Sequence, residues 1–232
     1  MEPARIDQAA PREAGSPDDY IGARLREERA RQGVSLRKLA TRLKISPSAL
    51  SQIETGRSRP SVSTLYSIVS ELGLSFDELF AHSAAASGVA GRTPARHPRT
   101  RPGEEQIVQR VDERKAIELE SGVRWERLNP IGERDVDFLE MEYDVGGASS
   151  RGRTFVHHAG REYGVVTAGQ LKVTVGFEEY ELGVGDSICF DSAVPHRLET
   201  IGGEPAKAIW FVIGRAGSDA RAQWEQDRSD GS

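Results

Sequence analysis

The sequence predicts a multidomain α + β protein, with an N-terminal five-helix domain, a linker and a C-terminal antiparallel β-sandwich or barrel. Apolar residues recur at helical spacing between about residues 18 and 81, and they alternate with polar residues at strand spacing from about residue 104 onward. Between these two regions, residues 82–103 contain five Ala, three Pro and four Arg but almost no large apolar side chain. Such a segment cannot bury enough surface to offset its ordering entropy, so we interpret it as a flexible linker.

The predicted boundaries follow from these changes in composition. Residues 1–17 are rich in Pro, Ala and charge without periodicity, which predicts a disordered leader. The helical domain is predicted over residues 18–81, the linker over 82–103 and the β-domain over 104–214. Residues 215–232 form a polar tail.

The charge distribution allows nucleic acid binding although the net charge is −5. Residues 18–80 carry 10 Lys and Arg against 8 Asp and Glu, residues 81–103 carry 4 Arg and no acid, and residues 104–214 carry 12 basic against 21 acidic residues. A mildly basic arm can bind phosphates while an acidic body limits non-specific binding. The single cysteine, Cys189, excludes an intrachain disulfide, and with no flanking basic group we expect it to be a small core residue rather than a nucleophile. No apolar run is long enough to span a membrane and no signal core is present, so we expect a cytoplasmic protein without a membrane partner.

Capping residues place the helices in order. The first helix is predicted over Tyr20–Gln32, with Gly33 ending it. Ser35 is suited to cap the second helix, and Ser46 the third, in which Pro47 occupies the first position. A fourth helix is predicted from Ser61–Ser63 to Gly73, and Ser75–Glu78 forms a capping box for a short fifth.

From residue 106 onward, short runs rich in β-branched and aromatic residues are separated by Gly, Pro, Asn or Asp at roughly ten-residue intervals, which predicts an antiparallel sandwich or barrel. The first of these runs is residues 107–111, and another is residues 154–158.

The third helix has the features of a helix that enters the DNA major groove. Leu50 and Ile53 face inward, and the outward positions carry only small or amide side chains. Two arginines follow the glycine that ends this helix and are suited to phosphate contacts. The candidate DNA-binding residues are Ser35, Ser46, Ser48, Ala49, Ser51, Gln52, Arg57 and Arg59.

This segment resembles the helix-turn-helix of the lambdoid repressor or Xre family, over about Tyr20 to Phe80. The resemblance rests on Leu39-Ala40, on the S-x-I-E-x-G run from Ser51 to Gly56 and on Arg59-Pro60. It implies that Ser48 and Gln52 read base edges and that Ser35, Arg57 and Arg59 lie near phosphates. Pro47 is a departure, because relatives often carry a base-reading side chain there.

Three residues of the predicted β-domain form a candidate pocket. His158 and Glu162 are four apart around a turn, and His196 follows Pro195 at the start of a later strand. Two imidazoles and a carboxylate can bind Fe(II), Mn(II), Ni(II) or Zn(II), or they can form a hydrogen-bonded cluster that lines a pocket for an organic effector. Arg153 and Tyr163 are further candidates for the effector pocket, whereas His157 is expected to point away from it.

The β-domain resembles the cupin family over about Gln106 to Gly214, which implies a double-stranded β-helix. The first cupin motif is matched by His158, Glu162 and Gly169, and the second by Gly185-Asp186 and Pro195-His196. Val156 stands where the first motif usually has another histidine, and Thr200 where the second usually has Asn. The resemblance therefore implies three metal ligands rather than four.

Two functions remain open from the sequence. The favoured hypothesis is a transcriptional regulator that binds a double-stranded DNA operator, senses a small-molecule effector in the cupin domain and forms a homodimer. The alternative is an enzyme, because a helix-turn-helix followed by a cupin also resembles the iron-dependent epoxidase of phosphonate antibiotic biosynthesis. The small polar residues at Ser48, Ser51 and Gln52 favour the regulator, since a helix kept only for an active site has no need of them.

Overall fold

The computed structural model describes residues 17–81, 103–130, 135–150, 152 and 154–214. The predicted leader (except Pro17) and tail, the linker up to residue 102, and the pocket candidate Arg153 lie outside the described residues. Within the described residues, no helix is both long and apolar enough to cross a membrane.

Five helices form the N-terminal domain, as predicted. Four of them, the second to the fifth, begin after a serine whose hydroxyl accepts from a backbone N–H three residues further on. This N–H has no partner within the helix, so the serine satisfies it. Their apolar faces meet in one core around Leu25, Leu39, Leu50 and Leu65. The helices are α1 (Pro17–Arg31), α2 (Leu36–Arg42), α3 (Pro47–Glu54), α4 (Val62–Leu72) and α5 (Phe76–Ala81).

The C-terminal part is an antiparallel β-sandwich, which confirms the predicted fold class. Its larger sheet has the strand order β1-β2-β3-β9-β4-β7 and its smaller sheet β6-β5-β8. The strands are β1 (Ala116–Leu119), β2 (Val123–Arg127), β3 (Val136–Tyr143), β4 (Arg161–Ala168), β5 (Leu171–Val175), β6 (Glu178–Leu182), β7 (Ser187–Asp191), β8 (His196–Thr200) and β9 (Ala206–Ile213).

Two predicted strands do not form. Residues 107–110 connect two short 3-10 helices, Glu104–Gln106 and Val111–Glu113, and residue 111 begins the second. No described strand pairs with this run, and Ile107 is 81% exposed. Residues 154–158 contribute only a single bridge, Val156 to His196, because the chain turns immediately afterwards.

The helical domain packs directly against the open end of the sandwich. The Glu120 N–H donates to the Pro60 carbonyl over 2.9 Å, and the Ser63 N–H donates to the Ser149 carbonyl over 3.2 Å. The start of α4 therefore lies at the mouth of the space between the two sheets.

Candidate functional site

The turn between α2 and α3 presents the third helix at the surface. Ser46 Oγ accepts from the Ala49 N–H over 3.1 Å, and Pro47 occupies the first helical position, where no N–H is needed. Lys44, in the turn between α2 and α3, has a left-handed φ of 55°, and this conformation allows a short connection between the two helices. Ser35 caps α2 in the same way, accepting from the Lys38 N–H over 3.2 Å.

The exposed face of α3 carries most of the predicted base-reading residues. Leu50 and Ile53 are buried, whereas Ser48 and Gln52 are exposed and Ala49 and Ser51 are half-buried. The surface that remains is narrow, uncharged and able to form hydrogen bonds, as major-groove contact requires.

The two predicted phosphate-binding arginines follow Gly56, which ends the turn in the left-handed region with φ 68°. Both arginine side chains are exposed. Arg59 Nη1 also lies 3.9 Å from Glu118 Oε2, at the boundary with the β-domain. Ser35 and Ser46, at the starts of α2 and α3, are exposed as well.

Glu54 has a structural role that the sequence reading missed. Its carboxylate is buried and accepts two hydrogen bonds from Arg29, over 2.6 and 2.8 Å, while the same guanidinium donates to the Val34 carbonyl over 2.9 Å. The pair ties α1 to α3, so it fixes the orientation of the surface that α3 presents.

His158, Glu162 and His196 converge at one point between the sheets. His158 Nε2 lies 2.9 Å and His196 Nε2 lies 3.0 Å from the same oxygen, Glu162 Oε1, and all three side chains are almost fully buried. The turn before β4 brings His158 to this point, since its amide donates to the Ser192 carbonyl. The spacing of these residues in the sequence correctly predicted that they meet.

The other polar atoms of these side chains fix their orientation. Nδ1 of His158 lies 2.9 Å from the Ala159 carbonyl, and Nδ1 of His196 lies 2.9 Å from the Val194 carbonyl. Glu162 Oε2 accepts from Trp210 Nε1 over 2.7 Å. Gly164 makes this contact possible, because a Cβ atom there would lie 1.9 Å from the Trp210 ring.

These contacts fit a metal site. When each Nδ1–H donates to its carbonyl, each Nε2 presents a lone pair towards the carboxylate oxygen, and this is the arrangement of metal-binding histidines. His158 Nε2 and Glu162 Oε1 are buried and have no hydrogen-bond partner among the described residues. Three acceptors that face one another without a donor can hold a divalent cation.

The electrostatics of the cluster agree with an ionised carboxylate. Burial opposes ionisation of Glu162, but the His158 and His196 imidazoles outweigh it and hold the pKa of the carboxyl group below its ordinary range. Burial lowers the pKa of His196, but the Glu162 carboxylate outweighs this effect and raises it. The site therefore favours negative charge on Glu162 and positive charge beside it, carried either by a proton on His196 or by a cation that displaces that proton.

The cavity beside the cluster has a volume of about 20 Å³, enough for one water molecule. Two of its lining residues, Val62 and Tyr66, come from α4 and were not predicted as site residues. Apolar residues at helical spacing on α4 indicate a buried helix face. The sequence does not distinguish burial in the core of the helical domain from burial against the β-domain. The other lining residues are Trp125, Met141, Tyr143, Ser149, Val156, Glu162, His196 and Leu198.

Several predicted positions lie elsewhere. The prediction that Tyr163 lines the pocket is wrong. Side chains alternate along β4, and because Glu162 points into the pocket, the next residue, Tyr163, lies on the outer face of the sheet. Cys189 is exposed on the same face rather than in the core. His157 points outward as expected. Thr200 is buried but donates to the Asp144 carbonyl over 2.9 Å.

Comparison with known proteins identifies both domains. A helix-turn-helix model matches residues 25–79 and a cupin domain model matches residues 139–212. The chain is 29% identical over 177 residues to the HTH-type transcriptional regulator PuuR of Escherichia coli (strain K12) and to the protein of that name in Shigella flexneri, covering 75% of this chain and 84% of each relative.

Two solved structures are also similar. The HTH_3 family transcriptional regulator from Vibrio cholerae is 22% identical, with a TM-score of 0.57 over 84% of this chain and 96% of that chain, and it supports the fold. The hydroxypropylphosphonic acid epoxidase from S. wedmorenis is 20% identical over 84% of this chain and 98% of that chain. Its TM-score of 0.40 is too low to support an enzymatic function.

Proposed function

We propose that this protein, a helix-turn-helix transcriptional regulator with a C-terminal cupin domain, binds operator DNA through α2 and α3 and adjusts that binding to a ligand in its cupin cavity. The observation that carries the proposal is the exposed polar face of α3. Homology to a transcriptional regulator favours this function over the oxygenase alternative, for which an exposed helix face of small and amide side chains has no use.

The outward residues of α3 would have two roles, hydrogen bonding to bases and close approach to the groove. Gln52 is suited to bidentate hydrogen bonds with adenine, and Ser48 can donate to or accept from a base edge. Ala49 and Ser51 are small enough to let the helix backbone approach the groove closely. The Pro47 side chain has no polar group, so recognition of a base at the first position of the helix would be weaker than in relatives with a base-reading side chain there.

The phosphate contacts surround this helix. Arg57 and Arg59 follow its C-terminal end, and Ser35 and Ser46 stand at the N-terminal ends of α2 and α3, where backbone N–H groups also favour anions. Such contacts orient the protein on any sequence and make its affinity dependent on salt.

We propose that two copies of the chain associate through the outer face of the larger sheet, because one recognition helix reads too few base pairs for specific binding. Phe138, Phe211 and Tyr163 are direct cross-strand neighbours in β3, β9 and β4, and all three lie half-buried or exposed on this face. The first two rings stack with centroids 4.1 Å apart. This aromatic row is the surface that a second copy would cover.

The cupin cavity would hold a divalent transition metal ion through His158, Glu162 and His196. An N₂O donor set suits Fe, Mn, Ni or Zn, and the bound ion would supply a positive charge and open positions for oxygen ligands of an effector. We propose a cytoplasmic location, because a regulator that binds operator DNA has to share a compartment with the chromosome.

Selection of bound duplexes from a random DNA library by the full-length protein tests the proposed function. We expect an enriched inverted repeat, since a twofold dimer presents two recognition helices. The matched control is Ser48→Ala with Gln52→Ala, two exposed changes that leave the helical core intact and should lose the enrichment. A library that stays random with the unaltered protein would contradict the proposal.

A further inference from the structure

The wall of the cupin cavity is partly made by the DNA-binding domain. Val62 and Tyr66, one turn apart on α4, line it together with Trp125, Glu162 and His196 of the β-domain. Both α4 residues are buried, at 4% and 7% exposure, although they lie at the edge of their own domain. A ligand in this cavity therefore touches the helix that follows the recognition helix in the chain.

Tyr66 contacts a residue of the metal site directly. Its ring stacks on the His158 imidazole with centroids 4.3 Å apart and planes within 1° of parallel. Trp125 and Phe76 hold the tyrosine from its sides, with edge-on contacts at 5.8 and 4.9 Å. The aromatic group thus extends from α5 through α4 to a nitrogen ligand of the site.

Backbone contacts on both sides of Val62 keep α4 in this position. The Pro60 carbonyl accepts from Glu120, and the Ser63 N–H donates to Ser149, which itself lines the cavity. The Arg59–Glu118 contact lies at the same boundary. The aromatic contact of Tyr66 lies beside these polar contacts and contributes with them to the arrangement of the two domains.

The size and polarity of the cavity limit what it holds in this arrangement. A volume of about 20 Å³ leaves room for one oxygen atom beside the acceptors of His158 and Glu162. Trp125 Nε1 and Tyr143 Oη are buried and have no hydrogen-bond partner among the described residues, and both side chains line the cavity. They can donate to an oxygen ligand of a cation, whereas a larger ligand has to displace one of the lining side chains.

We infer that Tyr66 couples the metal site to the DNA-binding domain, so that a divalent cation on His158, Glu162 and His196 holds α4 against the cavity. This inference rests on the proposed function for its regulatory meaning. A cation on Nε2 withdraws electrons from the His158 ring, and an electron-poor ring stacks more strongly on the tyrosine face. Because α3 is exposed in this arrangement, cation binding and operator binding favour the same state.

Hydrogen exchange of α4 in the full-length protein tests the inference without DNA. Co²⁺ alone is the probe, and its visible absorption measures metal binding separately. We expect Co²⁺ to slow exchange of the α4 amides at least about fivefold in the unaltered protein and in Tyr66→Phe, which keeps the ring. Tyr66→Leu keeps apolar bulk but not the ring, and it should bind Co²⁺ with less than about a twofold change in α4 exchange.

Leu65→Ala is the matched control, because Leu65 is fully buried yet is not among the residues that line the cavity. It should raise α4 exchange overall and keep the Co²⁺ response. Equal responses in Tyr66→Leu and the unaltered protein would overturn the inference, as would bound Co²⁺ that leaves α4 exchange unchanged.

A DNA measurement separates this inference from the proposed function. Co²⁺ should tighten binding of the selected operator by about 5–150-fold, and the operator should tighten Co²⁺ binding by the same factor. Tyr66→Leu should reduce both factors to near one. An α4 response without any operator preference would refute the proposed function while supporting the coupling of α4 to the metal site.

Discussion

The side chains of α3 occupy two different environments. Gln52 and Ser48 are exposed on the outer face, whereas Glu54, two positions after Gln52, points inward to Arg29. One short helix therefore carries the proposed base-reading groups on one face and the residue that anchors it to α1 on the other. The sequence identified the outward residues, because an amide and small hydroxyls among apolar positions predict a groove-facing surface. Glu54 was missed because its partner is 25 residues away.

Substitutions at Gln52 and Arg57 should have different effects on DNA binding. Gln52→Ala removes base contacts, so it should cost about 1–3 kcal/mol on the operator and relax specificity at one base step. Arg57→Ala removes a phosphate contact, so it should weaken all sequences together and reduce the salt dependence. Fluorescence anisotropy on operator and scrambled duplexes at several salt concentrations measures both. If Gln52→Ala reduces the affinity for both duplexes equally, Gln52 does not contribute to sequence recognition.

Breaking the buried Arg29–Glu54 pair should destabilise the helical domain. Glu54→Ala leaves a buried guanidinium without its carboxylate, which typically costs about 3–5 kcal/mol in the free energy of unfolding. The control is Glu71→Ala, which removes a more exposed partner of Arg42 and should cost no more than about 1 kcal/mol. Urea denaturation followed by circular dichroism measures the difference. Similar losses for both variants would mean that burial does not set the strength of the Arg29 contact.

The helices and strands differ in how far the sequence predicts them. Caps at Ser35, Ser46 and Ser61 placed three helix starts correctly, since capping is a local interaction between near neighbours. Residues 107–111 have strand-like composition but no partner strand, and composition cannot supply one. Tyr66 is buried in α4, and its ring stacks on His158, 92 positions further along the chain. No local pattern contains that information.

The junction of α1 and α4 should respond to acid. Hydrogen bonds from Arg31, which outweigh burial, and from Gln32 lower the pKa of Glu28 from its ordinary 4.5 to about 2, and Gln32 also donates to the Leu72 carbonyl at the end of α4. A depressed pKa contributes stability that is complete above pH 4.5 and is lost as the pH falls towards 2. Because Arg31 is exposed, we expect about 1–2 kcal/mol.

Comparison with Glu28→Gln measures this contribution. The difference in free energy of unfolding between the unaltered protein and the variant should be largest above pH 4.5 and shrink towards pH 2. Urea titrations across this range provide the values. A difference that does not change with pH would show that Glu28 is not the group that titrates.

At the scale of the whole molecule, the larger sheet has an aromatic outer face and an inner face that lines the cavity, on opposite sides of the same strands. Glu162 points into the cavity and Tyr163, its neighbour, points out to the aromatic row. The sequence predicted both domains and the His158–Glu162–His196 cluster, because the motifs are short and their spacing matches the strands. It did not predict that α4 closes the cavity, because the packing of one domain on another depends on surfaces far apart in sequence.

Association through the aromatic row should be sensitive to charge. Tyr163→Arg places a cation at one end of the aromatic row in both copies, so it should convert a dimer to a monomer at micromolar concentration. Phe177→Arg is the control, because this residue is fully exposed in the turn between β5 and β6 and should leave the dimer intact. Sedimentation equilibrium reports the mass of each. A monomeric unaltered protein, or a dimeric Tyr163→Arg, would exclude this face.

The central claim is that the protein discriminates among DNA sequences. Its most direct test is the ratio of dissociation constants for the selected operator and a scrambled duplex of equal length, measured with the full-length protein at physiological salt. We predict a ratio of at least about 10³, in the range of specific DNA-binding proteins. A ratio near one would contradict the account.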